Sequence, residues 1–303
     1  MYIFSSLFSI FCLLFGGYFA KKIKILKQKQ ARAFLDFAII FALPCLIFER
    51  AYHLNFDFSL IVIILLGLGC AIFSALCCVF LALCFKFSKS TLISIFLLAS
   101  FGNTLFVGIP IISGIYQDPH FLGEIILYDA LATSLPVALL APFIISLASE
   151  QKVSFLQNLK KVFTFPPFVA LILGLCFKLT TLPDFIFEPL RMLGASATPV
   201  ALFAIGLNLG FLSIKTSYKA TIIVIFGKMI LTPLIFLVLL KLLNFKLNPN
   251  SIIALLESAM PTMTMVAAMI MKAKLDTNLA VSSVAFGIVF AFISLPIWVY
   301  FLS

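Results

Sequence analysis

Three ionisable residues lie deep within long apolar stretches of the sequence: Asp129, Lys228 and Glu257. A charged side chain at membrane depth is costly, and such residues mark substrate, ion or proton pathways. Lys228 could be the counter-ion of an anionic substrate, could pair with Asp129 or Glu257, or could extend its ammonium group to the membrane interface. Glu257 and Asp129 are each a candidate proton carrier or a residue at a helix end that faces water.

Helix-breaking and polar residues interrupt two uncharged stretches that are long enough to cross a membrane. Residues 102–110 read GNTLFVGIP, and residues 258–264 read SAMPTMT. Because proline removes a backbone donor, Pro110 and Pro261 should each free the carbonyl four residues earlier. Half-helix ends with free N–H groups attract anions, and carboxylates in particular. The candidate substrate-binding residues are Asn103, Thr104, Gly108, Pro110, Pro261, Thr262 and Thr264.

The elements that must position these residues are transmembrane helices. Of the 303 residues, 63% are hydrophobic and 11% are charged, which is the composition of an integral membrane protein. A helical span needs ~20 apolar residues, whereas a membrane β-barrel would show ~10-residue segments of alternating polarity. The continuous apolar runs predict an all-α integral membrane protein. The predicted spans are 1–20, 33–50, 58–85, 91–117, 121–148, 162–181, 189–212, 218–243, 251–272 and 277–301.

The distribution of positive charge predicts the orientation of these spans. The net charge is +10, and the connections after odd-numbered spans carry most of the Lys and Arg residues. The positive-inside rule then places the odd connections in the cytoplasm and both termini outside it. We expect a multi-pass protein of the cell (inner) membrane. The basic excess is a topology signal and does not indicate nucleic acid as a partner.

The two halves of the chain share an ordered series of features. The interrupted polar stretches fall in the fourth span of each half, and Ser-Leu-Pro falls in the fifth, at 134–136 and 294–296. Because five is odd, the second half must enter the membrane from the opposite side. We predict two inverted five-helix repeats, 1–148 and 162–303, joined by a cytoplasmic linker at 149–161. The broken helices 4 and 9 should cross near the membrane centre, as in many transporters.

Several motifs resemble those of the auxin efflux carrier family, which includes plant PIN carriers and bacterial malonate- and malate-type permeases. GNTLFVGIPI at 102–111 is similar to the fourth-helix motif of that family, and ALFAIGLNL at 201–209 to its seventh-helix segment. GKMILTP at 227–233 resembles a basic residue followed by proline in the eighth helix, and residues 259–300 look like the last two helices. The resemblance covers essentially the whole chain.

The resemblance implies ten helices in two inverted repeats, with the substrate site where helices 4 and 9 cross. It implies Asn103 and Pro110 at one break and Pro261 at the other. The sequence departs from the family at 261–265, which read PTMTM where bacterial relatives often read PTATN. The absent asparagine puts any substrate carried over from those relatives in doubt.

We therefore predict a secondary active transporter that moves a small organic anion of the carboxylate class across the lipid bilayer by alternating access. Coupling to protons or to sodium is an option, no cofactor is expected, and a homodimer is one option for the assembled state. The alternatives are a channel and a non-transporting membrane sensor. An enzyme is not expected, because the two histidines, His53 and His120, fall in predicted outer loops and no hydrolase or zinc-protease motif is present. No catalytic residue and no metal site is predicted.

Other polar residues receive structural interpretations. Asp36, Glu49 and Arg50 lie near span ends and should be interfacial. Asn208 lies between Gly206 and Gly210, a spacing that favours close helix contact, so Asn208 is interpreted mainly as a hydrogen-bonding residue between helices, with a site role as the alternative.

Overall fold

The computed structural model describes residues 2–54, 58–116, 118, 121–148 and 154–302. His120 and the first part of the predicted linker, 149–153, lie outside this part of the chain. The regular elements of the described residues are helical, apart from one isolated bridge between two residues. In chain order the helical segments are α1 Tyr2–Lys22, α2 Gln28–His53, α3 Phe58–Cys84, α4 Lys89–Ser100, α5 Thr104–Ile115, α6 Phe121–Ser146, α7 Phe155–Phe163, α8 Pro166–Phe177, α9 Phe187–Asn208, α10 Ile214–Leu242, α11 Pro249–Ser258, α12 Thr264–Lys272 and α13 Thr277–Leu302.

The prediction of an all-helical membrane protein is confirmed for the described residues. In that part of the chain, 7 helices are long and apolar enough to cross a membrane, or up to 8 if the bent pair α7 and α8 is one span. The predicted spans 91–117, 162–181 and 251–272 are not single helices. The first is divided into α4 and α5, the second begins only with α8 after a bend, and the third is divided into α11 and α12.

Several prolines of this protein are preceded by a π-helical turn, which is wider than an α-helical one. Each of the four π-helical turns in the described residues ends two residues before a proline. Because proline lacks an N–H group and its ring clashes with the carbonyl four residues earlier, the wider π-turn accommodates it without ending the helix. The turns are Ala38–Ala42 before Pro44, Thr104–Gly108 before Pro110, Asp129–Ser134 before Pro136 and Gly227–Leu231 before Pro233.

In the π-helical turn before Pro233, a side chain bonds the carbonyl that the proline leaves without an N–H donor. Pro233 has no N–H to donate to the carbonyl of Met229, and Trp298 Nε1 donates to that oxygen instead, at 2.9 Å. The carbonyl of Gly227 keeps a main-chain donor, the N–H of Thr232, and also accepts from the hydroxyls of Ser74 and Thr232 at 2.9 Å each. In hydrocarbon, where water cannot supply the missing bond, the Trp298 donor makes Pro233 tolerable.

The chain divides into two compact units. Unit 1 comprises Met1–Phe56, Leu105–Leu127 and Leu159–Leu209, and unit 2 comprises Asp57–Thr104, Tyr128–Asn158 and Gly210–Ser303. Each unit draws on both halves of the sequence. The predicted repeat boundaries concern internal symmetry, which the division into units does not test, so they stay a prediction.

Unit 1 contains a close crossing of α1 and α9 that depends on glycine. A Cβ atom on Gly17 would lie 2.0 Å from the carbonyl oxygen of Phe203, and one on Gly206 would lie 2.1 Å from that of Leu14. Real Cβ atoms do not approach so closely. The two backbones can therefore touch only because both positions lack a side chain, as is common between membrane helices.

The interpretation of Asn208 is wrong. Asn208 ends α9 with an exposed side chain, so the helix contact at this point comes from glycine and not from the asparagine. Glu49 lies near the end of α2, as the sequence indicates, and is buried by protein at 3% exposure. It pairs with its neighbour Arg50 at 2.8 Å and with Arg191 of α9 at 3.1 Å, which compensates the burial of its charge.

We expect Gly206→Val to destabilise the protein by about 1–3 kcal/mol, because the added carbons force α1 and α9 apart. The measurement is the apparent melting temperature in detergent, followed by size-exclusion chromatography of heated samples. Gly69→Val is the matched control, since a Cβ at Gly69 meets no atom within 4 Å. Equal melting temperatures for the two variants would show that the crossing is not tightly packed.

Candidate functional site

Two interrupted stretches of unit 2 meet through their main chains. One follows the end of α4 at Ser100, and the other lies between α11 and α12. Gly102 and Thr262 form an isolated antiparallel bridge. The paired stretches 101–103 and 261–263 are called the junction below.

Two main-chain hydrogen bonds close the junction. The N–H of Asn103 donates to the carbonyl of Pro261 at 2.7 Å, and the N–H of Met263 donates to the carbonyl of Phe101 at 3.0 Å. Each stretch thus supplies the partner that a continuous helix would have supplied to the other. A broken backbone at membrane depth is stable only when its polar groups are satisfied in this way.

Lys228 reaches the junction from the π-helical turn of α10. Its side chain is 2% exposed, which excludes the interpretation that its ammonium group extends to the interface. Its Nζ donates a hydrogen bond to the carbonyl of Ser258, in the last turn of α11. The lysine lies over Gly102, where a Cβ would come within 3.0 Å of Lys228 Cε. Glycine at 102 therefore leaves the space that the lysine occupies.

Glu257 directly precedes Ser258, whose carbonyl bonds Lys228, and its carboxyl group lacks a hydrogen-bond partner among the described residues. It is 0% exposed, and among the described residues neither of its carboxyl oxygens has a hydrogen-bond partner. This excludes the interpretation that Glu257 faces water. Its charge interacts with those of Asp129 and Lys228. An unbonded buried carboxyl group is costly and calls for an explanation.

Asp129 differs from Glu257 in that its carboxyl group is held on both sides. The hydroxyl of Thr104 donates to Asp129 Oδ1, and the hydroxyl of Ser134 donates to Oδ2. Asp129 begins the π-helical turn of α6 and is 4% exposed. The three ionisable groups selected from the sequence therefore lie in one unit and interact electrostatically through Glu257.

At the N-terminal end of α12, the N-cap residue Met263 makes no side-chain hydrogen bond to the first N–H groups of the helix. The first N–H groups of the helix, from Thr264 onwards, therefore carry the partial positive charge that attracts an anion. Together with the Lys228 ammonium group, this end can neutralise a carboxylate, and the unbonded Glu257 can accept or release a proton.

The structure brings most of the predicted site residues into unit 2, but not all. Asn103, Pro261 and Thr262 are in the junction, Thr264 opens α12, and Thr104 bonds Asp129.

Gly108 and Pro110 instead belong to unit 1, at the end of the π-helical turn of α5 and at the start of its α-helical part. The interruption thus lies at 101–103 and not at Pro110, because the π-turn absorbs the proline.

Sequence reasoning missed the main-chain partners of the site and the hydroxyl of Ser134. Phe101, Met263 and the carbonyl of Ser258 carry no side-chain signal, so no motif could have found them. The Gly-Asn pair at 102 and 103 was the available signal for the position of the break, since both residues favour chain reversals. Among the described residues, no group of three or more His, Cys, Asp or Glu is close enough to hold a metal ion.

The family model that matches this chain is described as a membrane transport protein, and two relatives are described as transporters. A sequence model of the family described as "Membrane transport protein" matches residues 2–299. A protein described as an uncharacterized transporter of Methanocaldococcus jannaschii is 29% identical over 304 residues, covering 95% of each chain. Another from Methanothermobacter thermautotrophicus is 25% identical over 294 residues, covering 96% of this chain and 95% of the relative. The lysosomal cholesterol signaling protein of Mus musculus is 29% identical over 162 residues, 52% of this chain but 18% of its own length.

We expect Lys228→Met to destabilise the protein by about 1–3 kcal/mol, because the buried carbonyl of Ser258 loses its donor and Glu257 loses a neighbouring positive charge. In the double variant Lys228→Met/Glu257→Gln the loss should be smaller than the sum of the single losses, by about 0.5–3 kcal/mol. The measurement is chemical denaturation in detergent micelles. Lys241→Met is the matched control, since Lys241 lies on the same helix α10 with an exposed side chain. Strictly additive losses would mean that the two charges do not interact.

Proposed function

The chain belongs to the membrane transport protein family, that of the auxin efflux carriers, and on this premise we propose that it is a secondary active transporter of a small organic anion. It is a multi-pass membrane protein, and its relatives in the family are named as transporters. The proposed substrate class is the carboxylates. The proposed location is the cell (inner) membrane, with both termini outside the cytoplasm.

The observation that carries this proposal is the buried junction with Lys228 beside it. The ammonium group of Lys228 donates to one carbonyl oxygen and, among the described residues, forms no direct ion pair. A buried positive charge with free donors next to an uncapped helix end favours an anionic ligand over a neutral one. The proposed substrate-binding residues are Asn103, Thr104, Pro261, Thr262 and Thr264 of unit 2; Gly108 and Pro110, predicted with them, belong to unit 1 and are not part of this proposal.

The finer architecture that we propose is ten spans in two inverted repeats, with helices 4 and 9 broken and crossing at the substrate site. The pairing of 101–103 with 261–263 supports the crossing, because these stretches fall in predicted spans 4 and 9. Alternating access requires two bodies that move separately, and the division of the chain into two compact units supports that part of the proposal.

For coupling we propose a proton carried by Glu257, with sodium as the alternative ion. The unbonded carboxyl group supports the proton, because protonation removes the cost of a buried charge. Asp129 is the weaker candidate carrier, since two hydroxyl donors already stabilise its charged form. Lys228 would serve as the counter-ion of the substrate and would balance Glu257 when the site is empty.

The transport proposal is tested by counterflow in proteoliposomes with a panel of radiolabelled mono- and dicarboxylates. We expect saturable exchange of at least one carboxylate, and Asn103→Ala should lower its kcat/KM about tenfold or more, the effect of one lost hydrogen bond to a charged group.

The control for this experiment is Asn208→Ala, which changes an exposed asparagine outside the junction. Flux without counterflow would indicate a channel, and binding without flux a sensor. If Asn103→Ala transports normally while Lys228→Ala is inactive, the substrate site lies elsewhere around the lysine.

The coupling proposal predicts that Glu257→Gln retains exchange at equal pH but loses accumulation driven by a pH gradient. The amide keeps the shape of the side chain and cannot carry the proton. The measurement is substrate uptake with an imposed pH gradient or an imposed sodium gradient in the same vesicles. Accumulation that follows sodium alone in the wild type would replace the proton with a sodium ion in the mechanism.

A further inference from the structure

Helix α7, Phe155–Phe163, has a strongly two-sided sequence in the segment predicted as a cytoplasmic linker. In FLQNLKKVF the apolar residues share one side of the helix and the polar residues the other. Most of the apolar side is not covered by protein: Phe155, Leu156 and Phe163 are 61%, 78% and 55% exposed. Val162, on the same side, is buried. The helix thus presents an apolar surface that the rest of the chain leaves open.

The orientation of α7 is fixed by a hydrogen bond to α6. Asn158 is buried, and its Nδ2 donates to the carbonyls of Ala138 at 2.9 Å and Leu139 at 3.1 Å. The carbonyl of Ala138 needs this donor because Pro142, four residues later, has no N–H group. The Phe155 ring also packs on that of Phe143, with centroids 6.2 Å apart. The open apolar surface is therefore held in place.

The bend after α7 sets its depth in the membrane. Helices α7 and α8 meet at 60°. The 12 residues of α8 rise about 18 Å along its axis, and α7 adds only about 7 Å in that direction. Their combined rise of about 25 Å is close to the ~30 Å hydrocarbon thickness. With α8 taken as parallel to the membrane normal, this length places α7 at the edge of the hydrocarbon, inclined by about 30° to the membrane plane.

The charge of α7 complements phosphate groups at that depth. Lys160 and Lys161 are both exposed, and the segment 154–165 contains no acidic residue. Around the helix axis, Lys160 lies next to the open apolar surface. Apolar side chains flanked by lysines are the composition of helices that lie in the interface and bind anionic lipids.

We propose that α7 is an interfacial helix that binds anionic phospholipid. Phe155, Leu156 and Phe163 insert among the acyl chains beneath the headgroups, and Lys160 and Lys161 contact the phosphates above them. Asn158 keeps the apolar side turned toward the lipid.

The depth of the helix is tested with Leu156→Trp in vesicles that contain brominated lipids. The chain has a single tryptophan, so the added signal is read as the difference from wild type. We expect stronger quenching by bromines near the headgroup than by bromines near the chain ends. The control Phe73→Trp, at a 57% exposed position near the middle of α3, should show the opposite order. Deep quenching, or none, at position 156 would overturn the proposal.

The headgroup preference is tested by thermal stabilisation of the purified protein with phosphatidylglycerol against phosphatidylcholine. Lys160→Gln/Lys161→Gln should raise the half-stabilising concentration of phosphatidylglycerol about 30-fold, roughly fivefold for each lysine. Lys160→Arg/Lys161→Arg should keep the wild-type value. The control Lys241→Gln/Lys246→Gln makes the same charge change at exposed lysines outside α7. An equal effect of the control pair, or no effect of the α7 pair, would contradict the assignment.

Discussion

The constraint on which this structure depends is that backbone polar groups at membrane depth have no water to bond. The chain nevertheless carries prolines within its apolar segments. It meets the constraint in three ways: by π-helical turns before prolines, by side-chain donors such as Trp298 and Ser74 to the carbonyls of one such turn, and by pairing two interrupted stretches with each other. The candidate site lies where the third solution is used, because main-chain ends and polar side chains converge there.

Partners are also scarce for charged side chains at membrane depth, so the partners of each buried charge help to indicate its role. Glu49 in unit 1 is buried but is paired with two arginines, which is how a structural carboxylate is stabilised. Glu257 is equally buried, and its oxygens have no hydrogen-bond partner among the described residues. This contrast sets Glu257 apart from a structural carboxylate and supports the proposal that it carries a proton. Lys228 is intermediate, since it is held by one carbonyl and keeps further donors for a ligand.

Much of the fold, but only part of the site, is predictable from the length of the apolar runs in the sequence. Seven spans are predictable because the membrane thickness requires a long apolar run, and Asn103 and Thr262 stand out as polar residues inside such runs. The position of the interruption is not predictable from Pro110, because a helix can widen to accommodate a proline. The partnership of Glu49 with Arg191 joins residues 142 positions apart, and nothing local indicates which distant helix supplies the arginine. Helix α7 lies mostly in the predicted linker 149–161, because Lys160 and Lys161 interrupt the apolar runs on either side.

The bonds that close the junction run from main chain to main chain, at Asn103 N–H to Pro261 and Met263 N–H to Phe101. No side chain takes part in them, so they place few demands on residue type beyond the space at Gly102. The side chains at 103 and 263 can therefore change while these two bonds persist, whereas the Thr262 hydroxyl also donates to the carbonyl of Leu98 at 3.1 Å. The difference between PTMTM and PTATN falls at positions 263 and 265, so it alters side chains next to the junction and leaves its main-chain bonds unchanged.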